Sequence, residues 1–164
     1  MIIFTISILS QQNHTNSPFN NHSTTIQPVF MSEYQFSFER LEVWKLAREL
    51  TSLLYKTTSK FPPDERFGLI SQIRRAAVSV AANIAEGSSR MSPKDQARFT
   101  VFSFSSLIEV FNHLTIAKDL GYIDELHLQE YRKKIQLLSV KLTNYRAAQL
   151  KKSDRPTKKI PPSQ

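Results

Sequence analysis

The chain has no cysteine, only three glycines, at positions 68, 87 and 121, and four histidines among its 164 residues. Without cysteine there are no disulfides, no thiolate nucleophile and no Cys-based zinc site, and a reducing compartment, the cytoplasm, is the expected location. Three scattered glycines leave no phosphate-cradling loop. The histidines are His14, His22, His113 and His127. They are too few and too dispersed for a metal cluster or a triad, and no Glu-x-x-His occurs, so a carboxylate-bridged di-metal bundle is ruled out. No catalytic residue, metal ligand or cofactor is expected, and the chain does not read as an enzyme. No apolar run reaches the roughly 18 residues that span a bilayer, so no membrane partner is expected.

Charge is absent from one region. Residues 1–30 hold no Asp, Glu, Lys or Arg, and the stretch from Ser10 to Gln27 is dominated by Asn, Ser, Thr, Gln and His. Such a segment buries little, so residues 1–32 read either as a disordered leader or as an over-extended start ahead of Met31. Residues 151–164, Pro-punctuated and basic, read as a flexible electrostatic arm. Between them, residues 33–150 are long enough for one domain with a true core, given 40% hydrophobic residues and 11 Phe in the whole chain.

In that domain apolar residues recur at helical spacing, strand signals are lacking, and the breakers divide it into four helices. Helix one carries Leu41, Trp44, Ala47, Leu50 or Thr51, and Leu54 on one face and stops before Pro62-Pro63. Helix two is expected to open on Asp64-Glu65, where carboxylates suit the helix dipole, and to end at Gly87-Ser88-Ser89. Ser92, Pro93 and Asp95 predict a capped start for helix three, which continues through Phe99, Phe102, Leu107, Phe111, Leu114 and Ala117. Gly121 stops it, and Asp124 caps a fourth helix with the stripe Leu128, Tyr131, Ile135, Leu138, Leu142 and Tyr145. Short connections make neighbours antiparallel, so the predicted fold is an all-α, antiparallel up-down-up-down four-helix bundle. Helix three is anomalous: Val101, Phe104, Ile108, Val110 and Ile116 make it apolar nearly all round. That surplus predicts either self-association or an unusually central helix.

Two groups of polar residues are candidates for function. Gln72, Arg75, Ser79, Asn83 and Glu86 fall three or four apart beside an Ala-rich stripe, with Arg90 continuing them. They read either as a buried polar network of the Arg75–Glu86 kind, joining helices or subunits, or as direct ligand contacts. The second group follows from the balance of 22 Lys+Arg against 14 Asp+Glu, a formal charge of +8. Such a surface suits polyanions, with Arg74, Arg75, Arg90, Lys94, Arg98, Lys133, Lys134, Lys141 and Arg146 as candidate phosphate contacts and Lys151 and Lys152 adding reach.

Four blocks in order carry a resemblance: Leu41-Glu-Val-Trp44 with Ala47, Phe67-Gly-Leu with Ser71 to Ser79, Asn83-Ile-Ala-Glu-Gly87, and Ala117 to Ile123. Spanning roughly Phe38 to Lys152, they resemble the four-helix-bundle proteins encoded within intervening sequences of bacterial 23S rRNA genes. The resemblance implies a homopentameric ring. It also implies kinship with the accessory variability determinant of diversity-generating retroelements, which works with a reverse transcriptase and binds nucleic acid through a basic surface. Val80-Ala81-Ala82 departs from the pattern, since many relatives carry a proline two residues before the Asn, and this bears on helix geometry there. The expected function is that of a non-enzymatic, oligomeric module binding structured nucleic acid, RNA above all. The alternative is an interaction scaffold that recruits a partner enzyme, such as a reverse transcriptase, without touching nucleic acid.

Overall fold

The computed structural model describes residues 34–153; the leader and the tail from residue 154, on which the readings of a disordered or over-extended start and of a basic arm fall, lie outside the described residues. Among the described residues there are four α-helices, α1 (Glu42–Thr58), α2 (Leu69–Ser89), α3 (Pro93–Asp119) and α4 (Glu125–Ser153), with single 3-10 turns at Ser37–Arg40 and Pro63–Arg66. Each helix packs on the next, and α4 returns to α1. With connections this short, neighbours run antiparallel, and the fold is the expected all-α up-down-up-down bundle.

The helix ends differ from expectation in instructive ways. Asp64 and Glu65 lie in the 3-10 turn rather than in α2, because Gly68 takes a non-helical backbone (ψ −123°) between them. Glu65 still serves the helix: its Oε2 accepts the Leu69 N–H at 2.7 Å, placing a carboxylate on the dipole's positive end. Helix α2 ends at Ser89, within the expected Gly87-Ser88-Ser89 stop, although Gly87 itself is still helical. Gly87 is buried within the helix, and a Cβ there would meet the Phe99 Cβ at 2.8 Å, so the glycine lets α3 approach closely. Pro93 opens α3 as expected, yet the Ser92 hydroxyl makes no capping bond and only its carbonyl accepts, from Gln96 N–H at 2.9 Å.

Gly121 (φ +76°) closes α3 with paired bonds, Tyr122 N–H to Ala117 O at 2.8 Å and Gly121 N–H to Lys118 O at 3.0 Å. Left-handed geometry of this kind is open to glycine at no steric cost. Asp124 caps α4 through Oδ1, which accepts the His127 N–H at 2.7 Å.

The core forms from Val43, Ala47, Leu50 and Leu54 of α1, Ile70, Ile73, Ala77, Val80 and Ile84 of α2, and Leu128, Tyr131, Ile135, Leu138 and Leu142 of α4. Burial raises the pKa of the Tyr131 and Tyr145 hydroxyls. From α3 it receives Leu107, Val110, Leu114 and Ala117, but also Thr100, Ser103 and Ser106. Phe99 and Phe102, expected in the core, are displaced outward by this small-residue stripe. Hydroxyls stitch the helices: Ser103 Oγ donates to Val80 O at 2.9 Å, Thr51 Oγ1 to Ala77 O at 3.0 Å, and Thr100 Oγ1 to Gln149 Oε1 at 2.8 Å. Buried hydroxyls satisfied in this way avoid a desolvation penalty and permit close backbone approach.

Among the described residues α3 alone has the length and mean hydropathy of a membrane span. Its flanks pack on α2 and α4, and its inner stripe holds hydroxyls bonded to those helices, the pattern of a bundle's central helix.

Candidate nucleic-acid interface

The polar stripe of α2 bonds both along itself and across to α3. Arg75 and Glu86 are eleven residues apart on one helix, about 16 Å along its axis, too far to pair. Arg75 instead donates to Glu109 Oε1 at 3.2 Å and to Gln72 Oε1 at 3.1 Å. Ser79 and Ser106 share a hydrogen bond of 2.9 Å, and Asn83 Nδ2 donates to Ser79 O at 2.8 Å and to its Oγ at 3.0 Å. Glu86 pairs with Arg90 one turn on. The ends of the network are exposed, Arg75 by 73% in this single chain, while its middle is covered, with Ser79 and Asn83 half-buried and Ser106 buried.

His113 adds a buried Nε2 that has no hydrogen-bond partner; Glu109 Oε1 lies 3.6 Å away. Sequence reasoning missed Glu109 and Ser106. Glu109 carried a signal, as the lone acidic residue between Asp95 and Asp119 in an otherwise apolar helix.

The candidate phosphate contacts divide by what already holds them. Arg74 Nε donates to Thr58 Oγ1 at 2.8 Å, and its guanidinium lies 4.7 Å from the Tyr55 ring, which ties α2 to α1. Arg75, Arg90 and Lys141 pair with Glu109, Glu86 and Glu42. Lys94, Arg98, Lys133, Lys134 and Arg146 have no carboxylate partner among the described residues. Lys133 faces outward on α4, Lys134 borders a groove with Leu46, Leu53 and Leu137 of α1 and α4, and Arg146 borders one with Val101 and Phe104 of α3.

The bonds from Thr100 to Gln149 and from Ser37 to Ser88 fix which termini share an end of the bundle. The end of α2, the start of α3 and the last turn of α4 come together, bringing Arg90, Lys94, Arg98, Lys151 and Lys152 to one end. Glu86 and Asp95 are the acids of the α2–α3 connection there, and Glu86 is neutralised by Arg90.

Aromatic rings interleave with these cations at the α2–α3 corner. Phe99 and Phe102 meet edge to face, centroids 5.7 Å apart, with the Arg90 guanidinium 4.6 Å from the Phe99 ring and that of Arg98 5.4 Å from Phe102. Arg90, Asp95, Arg98, Phe99 and Phe102 line an open recess of about 290 Å³. Phe102 is 41% exposed. Rings and cations so arranged offer stacking faces and phosphate donors together.

Among solved structures, one similar to this chain is the crystal structure of a protein of unknown function from the S23 ribosomal protein family of Bacteroides thetaiotaomicron. It is 17% identical, the match covers 69% of this chain and 99% of that chain, and the TM-score is 0.47. No curated protein matches. The model of the 23S rRNA-intervening sequence protein family matches residues 39–144, which takes in α1 to α3 and most of α4, and the chain belongs to that family.

Proposed function

We propose that the protein is a non-enzymatic, oligomeric module of the cytoplasm that binds structured RNA through its basic surface. The observation that carries this reading is the set of cations free of carboxylates, Lys94, Arg98, Lys133, Lys134 and Arg146, with Lys151 and Lys152 beyond them. Phosphates bound by such residues release condensed counterions, and recognition by backbone contacts follows shape more than base identity.

Self-association is supported by the outer face of α2 and α3, where Val78, Ile108 and Ile116 stand exposed beside the Arg75–Glu109 network. A pentameric ring is the assembly proposed, on the family resemblance. Apolar surface of this extent is costly to leave in water, and burying it between copies would also dry the network around His113.

The test is a titration of the full chain with a labelled RNA hairpin across salt concentrations. Five phosphate contacts predict a log–log slope of about −4.5, so affinity falls roughly five-hundredfold between about 50 and 200 mM salt. Absence of salt-dependent binding overturns the reading. A second reading, a scaffold that recruits a partner enzyme such as a reverse transcriptase, is favoured by the same exposed Ile108 and Ile116. It requires that the partner be retained after nuclease treatment.

A further inference from the structure

Resting on the RNA-binding reading above, we propose that the α2–α3 corner is a stacking platform for unpaired RNA nucleotides, Phe102 receiving a base while Arg98 and Lys94 take the flanking phosphates. The corner differs from the other cation–ring pairs, such as Arg66 with Phe67 and Arg74 with Tyr55, in joining two rings and two guanidinium groups in one recess. Each phenyl ring carries one guanidinium, so the order across the corner is Arg90, Phe99, Phe102, Arg98.

The two arginines are held differently. Arg90 is anchored by Glu86, and its carbonyl accepts Gln96 Nε2 at 2.7 Å, so it stays on Phe99 and fixes the inner half of the platform. Arg98 has no carboxylate partner, and its one described contact is with the Phe102 ring. Its guanidinium can leave that ring for a phosphate at little cost, since an exposed cation–π contact is weak. Phe102 is then uncovered for a base. Lys94 lies one helical turn before Arg98 on the same face and extends the phosphate track.

Asp95 lines the recess with no salt-bridge partner among the described residues. A carboxylate repels phosphate but accepts from base amino and imino groups, so in a recess that also holds two guanidinium groups it suits the base and they suit the backbone. The bases of a duplex are stacked on one another and offer the rings no free face. Unpaired loops, bulges and ends expose the faces the rings require. Stacking of this kind is sequence-tolerant, since every base has a π-face.

The experiment compares wild type with Phe102→Leu, both full chain, by anisotropy of a fluorescein-labelled oligouridylate and of a blunt RNA duplex. Leucine keeps an apolar side chain at a partly exposed position, so the bundle is preserved. The expected result is about tenfold weaker binding of the oligouridylate, less than twofold change for the duplex, and an unchanged assembly mass by sedimentation. Unchanged oligouridylate affinity, or equal loss on both ligands, overturns the platform while leaving RNA binding intact. A changed assembly mass overturns it too, making the corner a contact between copies. Failure of wild type to bind either RNA overturns both this inference and the reading beneath it.

Discussion

Helices α3 and α4 lie side by side and bury different kinds of residue. The inner stripe of α4 is Leu128, Tyr131, Ile135, Leu138 and Leu142, large side chains that hold neighbours apart and stabilise by the apolar area they remove from water. The first half of the α3 stripe is Ala97, Thr100, Ser103 and Ser106, small residues that let neighbours come close, the Ser103 and Ser106 hydroxyls being satisfied on α2 and that of Thr100 on α4. Exposed on α3 are Val101, Phe102, Ile108 and Ile116. A helix that packs by close approach leaves its large apolar residues available for other work, and α3 presents them where the candidate interfaces lie.

The contrast breaks first at α4. Leu138 is 1% exposed, and Leu138→Ala cuts a fully buried isobutyl group back to methyl, with an expected cost of about 2–5 kcal/mol in the urea unfolding free energy. A loss under about 1 kcal/mol would mean that α4 is not held by volume. For α3 the sharper probe is enlargement. Ser103→Val removes the bond to Val80 O and forces two γ-methyl groups into a site with no exposed surface, so a loss of about 1–3 kcal/mol is expected. If valine stabilises the protein, the two helices are not in close contact there and the distinction from α4 falls.

The same contrast explains what the sequence made legible. The α4 stripe was readable residue by residue, because burial there follows hydrophobicity at a 3.6-residue period. On α3 the period is hidden: its buried positions include Thr and Ser, and its surface includes Phe and Ile, so a reading by hydrophobicity puts Phe99 and Phe102 inside and passes over Ser103 and Ser106. The bundle class survived that error because the breakers at Pro62-Pro63, Ser92-Pro93 and Gly121 do not depend on which face is buried. The polar stripe on α2 was legible as a stripe, but its partners were not. Pairing of Arg75 with Glu109 and of Ser79 with Ser106 depends on the register between two helices, which a single helix's spacing does not contain. Five of the nine candidate cations were separated from the rest only once the partners of Arg74, Arg75, Arg90 and Lys141 were visible.

The smallest expected effect concerns how the two helices begin. The Ser92 side chain makes no capping bond to α3, whereas Asp124 Oδ1 accepts both the backbone N–H and Nδ1 of His127 at 2.7 Å. The His127 backbone bond, followed by its side-chain bond, holds the Asp124 carboxyl below its ordinary pKa. A carboxyl lowered on folding contributes stability that is present above its unfolded value of about 3.9 and is lost as pH falls through the lowered folded value. Asp124→Asn keeps an oxygen for the cap and removes the ionisation. Wild type is therefore expected to be the more stable of the two at neutral pH, with the difference closing as the pH drops below about 4, in urea midpoints measured across that range. Both groups are more than half exposed, so the effect is small, and added salt should reduce it further. A difference that persists unchanged into acid would show that the cap acts through geometry alone, and α4 would then owe its start to the same backbone pattern that serves α3.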